Sequence, residues 1–340
     1  MATAAVGALL LAPGHSYRQM PMTAATRFWD LPTSSRIAYT YTGPPVPSSQ
    51  PPVIVVHGGP GAPDVRQDPL AHALAAAGFD VYIYQQVGSG LSSRLPNVYD
   101  YTLARDVADL DAIRAKLGAS KIILVGNSFG GKLTANYMAV HPDRVAKAVI
   151  SSPIAIWSPA FKGTGGLTAG GSASSTKALN DTPELQLVLK LLNLAGPQAV
   201  SALVPERTLD RIAQDYIGNL DMSAGCQDGH APEYEKNSKG VGFWALLATD
   251  EDSRTAPDPR PALRKVTAPV LVLRAKCDYV SWNVTREYRD LVPNAVLLPI
   301  PDAGHRIHIN QPEEYQQAVR SFLLGKPLPA APYTGEEAPW

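Results

Sequence analysis

The chain has only two cysteines in 340 residues, Cys226 and Cys277, far apart and without C-x-x-C or metal-ligand spacing. Neither a disulfide framework nor a zinc site is indicated, although the two sulfurs could still meet in space. Charge is sparse as well: Lys+Arg and Asp+Glu are equal at 30 each and charged residues make up only 18%. No basic face is offered to nucleic acid or anionic lipid. Long apolar runs are missing too. The small apolar stretch from Ala4 to Pro13 lacks a basic n-region and is far too short to span a bilayer, which makes it a poor signal peptide. Residues 1–22 read as a disordered leader, with Met20 or Met22 equally placed to be the natural start. These absences point to a cytoplasmic protein, with a secreted or periplasmic one as the lesser alternative, that takes a small-molecule substrate, with no nucleic-acid or membrane partner and no visible internal repeat. The oligomeric state stays open.

What is present is an alternation. Phe28 to Tyr41 reads as a hairpin turning at Pro32-Thr33-Ser34-Ser35. Val53–Val56, Val81–Tyr84, Ile122–Val125 and Val145–Ile150 then follow as short, uninterrupted apolar strands. Between them lie helical patterns at 70–77 and 103–117, closed by Gly78 and Gly118. Continuous apolar strands alternating with amphipathic helices argue for a parallel sheet covered on both faces. After Pro153 the alternation stops for about a hundred residues, and it resumes at Val270–Leu273, with a last strand at Val296–Ile300 and a closing helix at 313–324. The interval, 154–262, reads as a helical cap. It opens on glycine-rich stretches at 163–166 and 170–175, a mobile lid or a plain connector, and continues as helices at 184–194 and 209–217.

The chemistry centres on Gly126-Asn127-Ser128-Phe129-Gly130, a G-x-S-x-G match directly after an apolar strand and before a helical pattern. That context is the nucleophile elbow, which lifts a serine hydroxyl above a sheet edge. Serine is a weak nucleophile at neutral pH, so Ser128 needs a base, and the base needs an orienting carboxylate. In the order Ser, acid, His, both partners follow late strands. Asp278 follows Val270–Leu273, and His305 follows Val296–Ile300 in Asp302-Ala303-Gly304-His305. His308 is the one serious rival base, and Asp302 the rival acid, more naturally a turn residue. Two backbone N–H groups should hold the oxyanion. Phe129, after the nucleophile, supplies one; Gly59 in His57-Gly58-Gly59-Pro60-Gly61 supplies the other, with Gly58 next and His57 as a structural hydrogen-bonder. Trp157, Phe243 and Trp244 are the candidate substrate contacts from the cap, together with Gly58. No metal or organic cofactor is implied.

His-Gly-Gly-Pro-Gly, Gly88-Ser89-Gly90-Leu91-Ser92, the elbow, Asp278 and Asp-Ala-Gly-His305 together resemble the proline iminopeptidase branch of the α/β-hydrolase superfamily. The resemblance covers residues 27–153 and 266–325 and leaves out the cap. It implies an α/β-hydrolase fold: a mostly parallel eight-stranded sheet with helices on both faces, core segments at 23–153 and 263–328, and a cap inserted at 154–262. The branch also holds esterases, lactonases and amidases. Two departures bear on substrate. The family's Asp-Gln-Arg-Gly-x-Gly stands here as Gln85-Gln86-Val87-Gly88-Ser89-Gly90, as if an internal ion pair had been dropped as a unit. Around Phe243-Trp244-Ala245-Leu246-Leu247 there is no adjacent carboxylate to hold a substrate ammonium, and Asp250, Glu251 and Asp252 read as a solvated helix end. The expectation is a carboxylic ester or lactone hydrolase for a neutral, bulky apolar substrate, with proline iminopeptidase as the alternative. Serine-dependent macrolide esterases are similar in the His-Gly-Gly-Pro-Gly and elbow segments, which adds macrolactone antibiotics to the implied substrates.

Overall fold

The computed structural model describes Gly7 and residues 17–46, 48–160, 173–220 and 238–340. His15, His230, Cys226 and the glycine-rich segments at 163–166 and 170–172 lie outside the described residues. Among those described, β1 (Arg27–Asp30), β2 (Arg36–Thr42), β3 (Val53–Val56), β4 (Val81–Tyr84), β5 (Ile122–Asn127), β6 (Val145–Ser151), β7 (Val270–Ala275) and β8 (Ala295–Ile300) form one sheet. Its order is β1-β2-β4-β3-β5-β6-β7-β8. β1–β2 and β2–β4 pair antiparallel, and every pair from β4 through β8 is parallel. The hairpin and the strand runs therefore stand where the apolar patterning puts them.

Parallel strands covered on both faces need apolar residues at successive positions, and β3 shows why. Ile54 and Val56 pack on one face with Leu110 and Ile113 of α2 (Leu103–Lys116), Leu133 and Met138 of α3 (Phe129–Val140), and Val284 and Tyr288 of α10 (Trp282–Leu291). Val53 and Val55 pack on the other with Leu70 and Leu74 of α1 (Asp68–Ala75) and Val319 and Leu323 of α11 (Pro312–Leu323). A sheet alternates side chains by face, so a run such as Val-Ile-Val-Val fills both layers at once.

Between β6 and β7 the described residues form α4 (Ala173–Asn180), α5 (Pro183–Ala195), α6 (Pro197–Leu203), α7 (Glu206–Asn219), α8 (Phe243–Thr255) and α9 (Arg260–Leu263). The helices α5 to α8 share their own apolar cluster, which includes Leu185, Val188, Val200, Ile212, Tyr216, Phe243 and Trp244 and is seated on Val98 and Tyr101 of the core. Polar contacts fix the seat. Asp210 on α7 accepts from the Phe243 N–H at the start of α8 at 2.7 Å and from Arg94 at 2.8 Å. Asp252 is not a solvated helix end: it reaches across to accept the first N–H of α2, Leu103, at 2.8 Å, where the positive end of that helix favours a carboxylate. Asp250 pairs with Arg254 at 2.9 Å. Part of the stretch read as leader is packed rather than loose: Met20 is buried, Arg18 bonds Ser238, and Gly240 donates to the Arg18 carbonyl.

Candidate active site

Three loops converge because their strands are parallel. β5, β7 and β8 all end at one edge of the sheet, so the residues that follow them emerge on the same side. Ser128 follows β5 with φ 56 and ψ −121, a left-handed backbone that a serine adopts only under constraint. The glycines on either side make the turn possible: a β-carbon on Gly126 would fall on the Gly130 carbonyl, and one on Gly130 would fall on the carbonyls of Val56 and His57. The turn leaves the Phe129 N–H at the start of α3 with no helical carbonyl a turn behind it.

The loop after β7 carries Asp278 and the loop after β8 carries His305, and main-chain bonds tie the two together. Lys276 donates to Ile300 at 3.1 Å and Cys277 to Ala303 at 3.0 Å. Asp278 Oδ1 then lies 2.8 Å from His305 Nδ1, with both side chains buried. Burial alone would raise the Asp278 carboxyl, but His305, Arg274 and the Val280 N–H outweigh it and hold the group below the ordinary carboxylate value. A carboxylate at Nδ1 fixes that nitrogen as the N–H and leaves Nε2 as the acceptor. His305 and Ser128 line one pocket with Gly58, Gly59, Asn127 and Tyr279. Among the described residues no hydrogen bond joins Ser128 Oγ to Nε2; the Tyr279 hydroxyl stands there, at 3.3 Å.

The glycine loop after β3 closes the pocket's far side. A methyl group on Gly58 would come within 2.9 Å of the Ser128 β-carbon, so only bare backbone approaches the hydroxyl this closely. His57 braces the loop: its Nε2 accepts the Gln86 N–H at 3.0 Å, so the proton sits on Nδ1, which donates to the Gly58 carbonyl at 2.9 Å. Burial pushes its pKa down to about 4, which keeps the ring neutral. Gln86 completes the brace, donating to the His57 carbonyl and accepting from the Gly61 N–H.

A family model for the alpha/beta hydrolase fold matches residues 51–312. The chain belongs to that family. The hydrolase is similar to the proline iminopeptidase of Lactobacillus delbrueckii subsp. bulgaricus, at 23% identity over 290 residues, covering 81% of this chain and 90% of the relative. Among solved structures, the proline iminopeptidase of Mycobacterium smegmatis is 25% identical with a TM-score of 0.56, covering 88% of this chain and 98% of that one. A thermophilic esterase from Thermogutta terrifontis is 20% identical with a TM-score of 0.60, covering 89% and 99%; that likeness shows the fold.

Not every candidate reaches the pocket of this hydrolase. Phe243 and Trp244 meet edge to face at 5.0 Å inside the apolar cluster of α5 to α8, and Trp157 lies under Arg260 with its indole N–H on the Ala256 carbonyl. From that region Ile217 and Leu220 line the pocket instead. The rival histidine also lines the pocket, but its partner is not the acid beside His305: His308 Nε2 lies 2.8 Å from Asp64, another pocket residue. Asp302, with φ 50, is a turn residue. Gln85 is absorbed locally, accepting the Leu91 N–H, while Val87 joins the core.

Four participants were not fixed by any motif, Asn127 standing at a variable position of the elbow. Asn127 joins the elbow to the histidine loop by donating to the His305 carbonyl at 3.3 Å and to Ser151. Arg274 stands behind Asp278, 3.6 Å from its Oδ2. Tyr279 packs at a tilt against His305 with ring centroids 4.4 Å apart, and Asp64 supports His308. Cys277, next to the acid, is disulfide-bonded. No helix among the described residues is long and apolar enough to cross a membrane.

Proposed function

We propose that this hydrolase cleaves a carboxylic ester or lactone of a neutral, largely apolar substrate through an acyl-enzyme on Ser128. The observation that carries the reading is the buried Asp278–His305 pair, 2.8 Å apart, opening onto the pocket of the strained elbow serine. In this mechanism His305 Nε2 takes the Ser128 proton as Oγ bonds the carbonyl carbon, and the carbonyl π pair moves onto oxygen. In this reading the N–H groups of Phe129 and Gly59 receive that oxyanion, a donor pair whose single members are typically worth a factor of about 100 or more. The imidazolium returns its proton to the leaving alkoxide as the C–O bond breaks, and water repeats the sequence to release the acid. Asp278 keeps its charge throughout and stabilises the imidazolium.

The alternative is a proline iminopeptidase, favoured by the relatives' activity. Such an enzyme must hold a free ammonium group. The pocket does contain a carboxylate, Asp64, but it is already engaged, bonded to His308 at 2.8 Å with the Arg306 guanidinium 4.0 Å away, which suits a neutral substrate better. Ala62, Ile217 and Leu220 supply apolar lining, in keeping with an apolar acyl or alcohol group; a macrolactone is one substrate the reading admits. The bond at Cys277 favours an oxidising compartment over the cytoplasm. The deciding measurement sets p-nitrophenyl acetate against prolyl-p-nitroanilide, with Ser128→Ala as control. Ester turnover that vanishes in Ser128→Ala supports the reading. Robust anilide cleavage overturns the substrate class, and activity retained without Ser128 overturns the mechanism.

A further inference from the structure

The base of this enzyme has its accepting nitrogen occupied. Asp278 fixes the proton on Nδ1, so Nε2 of neutral His305 carries a lone pair, and the only hydrogen-bond partner within reach of it among the described residues is the Tyr279 hydroxyl, at 3.3 Å. Two more observations tie Tyr279 to the base. Its ring lies on the imidazole, with centroids 4.4 Å apart and planes tilted by 38°, and it lines the same pocket as Ser128. It also directly follows Asp278, whose Oδ1 accepts the Val280 N–H at 3.0 Å, so the turn that positions the acid also aims the phenol. We propose that Tyr279 is a further catalytic residue of the ester hydrolysis described above, whose hydroxyl donates to His305 Nε2 in the resting enzyme and must yield that nitrogen to Ser128 Oγ in each turnover. No proton passes through the phenol: it leaves Nε2 as O–H, Ser128 delivers its own proton there on attack, and the phenol returns once the imidazolium has discharged to the leaving group. At 37% exposed, Tyr279 is open to solvent, and an incoming substrate meets it at the pocket wall.

The direction of the effect follows from the chemistry. A hydrogen bond donated to neutral imidazole stabilises the neutral form and competes with the nucleophile, so removing it should make Ser128 more reactive and His305 easier to protonate. The groups facing His305 are Asp278 with Arg274 behind it, Tyr279, and along the same pocket Asp64, Arg306 and His308. Tyr279→Phe alters only one of them and keeps the ring. Three readouts on the full chain test it: the rate of fluorophosphonate labelling, the pH profile of kcat/KM for p-nitrophenyl acetate, and the unfolding midpoint. Labelling should quicken about two- to tenfold, the factor a hydrogen bond of ordinary net strength represents, with an unchanged midpoint. The acid limb should move up by about half a pH unit. Labelling within twofold of wild type with an unmoved acid limb, or slower labelling, overturns the proposal. The serine hydrolase reading it rests on fails separately, through label or turnover that survives Ser128→Ala. A wild type that neither labels nor turns over, beside a Tyr279→Phe that does, supports the gate; both inert overturns it with that reading.

Discussion

Arg274 offers the sharpest test of how the acid is maintained. Its guanidinium lies 3.6 Å from Asp278 Oδ2, with side chains 6% and 0% exposed, and it also donates to the Val280 carbonyl at 2.7 Å and to Thr285 at 3.2 Å. At an effective dielectric near 20 two charges at that distance attract by about 5 kcal/mol. The net value is smaller. Burial opposes the charge on both partners: it lowers the Arg274 pKa even against the pull of Asp278, while His305, Arg274 and the Val280 N–H hold Asp278 down despite its own burial. Replacing one partner leaves the other charge buried, and a loss of roughly 2–4 kcal/mol is expected for Arg274→Met at pH 7. For a chain of this length that is about 3–6 °C in Tm. The pH dependence is diagnostic. A carboxyl with a lowered folded pKa contributes stability above its unfolded value, about 3.9, and loses it as pH falls through the folded value. The gap between wild type and variant should therefore be widest above about pH 5 and narrow toward pH 3. Urea unfolding at several pH values reads it directly, and p-nitrophenyl ester turnover should drop with it as the imidazolium loses its counter-charge. A variant as stable as wild type, or a gap that stays constant with pH, would show that Arg274 only fills space.

The sheet and the elbow were legible in the sequence because each rests on local rules. A run such as Val53–Val56 can be buried on both faces only in a covered parallel sheet, and a glycine-flanked serine after a strand needs both glycines for steric reasons that hold in any surroundings. Asp278 and His305 followed from topology: parallel strands deliver their loops to one edge. The aromatic residues of the cap misled for an energetic reason. A separate helical layer needs a core of its own, and Phe243 and Trp244 contribute more apolar area buried there than they would at a pocket wall. Asp252 looks like a solvent-facing charge in the sequence because the helix end it caps lies about 150 residues away. Tyr279 and Arg274 were invisible for the opposite reason: they are neighbours of the acid in sequence, yet nothing in residue type or spacing says which way they turn. That direction is set by the packing of β7 against α10, where Arg274 meets Thr285.

Two contacts between the cap helices and the core give the remaining tests. Asp210→Ala removes both the cap on α8 and a partner of Arg94, which keeps Glu206 at 3.5 Å and two main-chain carbonyls; a loss of about 1.5–3 kcal/mol in urea unfolding is expected, roughly halved in Asp210→Asn, and equal losses would mean that charge is irrelevant there. Lys132 of α3 is buried and donates to the Ser253 carbonyl and hydroxyl and to Ser158. Burial pushes its pKa down to about 8, against the pull of Asp250 and Asp252. An unfolded lysine titrates near 10.4, so between about pH 8 and 10.4 the unfolded chain binds more protons than the folded one. Stability should therefore rise with pH across that window, by about 3 kcal/mol in all, because the folded protein sheds a buried charge that the unfolded chain still carries. Lys132→Met removes the titration, so the difference between the wild-type and variant unfolding free energies should climb from pH 8 to 10.4 in favour of wild type. Parallel curves would mean that Lys132 stays protonated in the folded enzyme and that its three acceptors, with Asp250 and Asp252 nearby, fully compensate its burial.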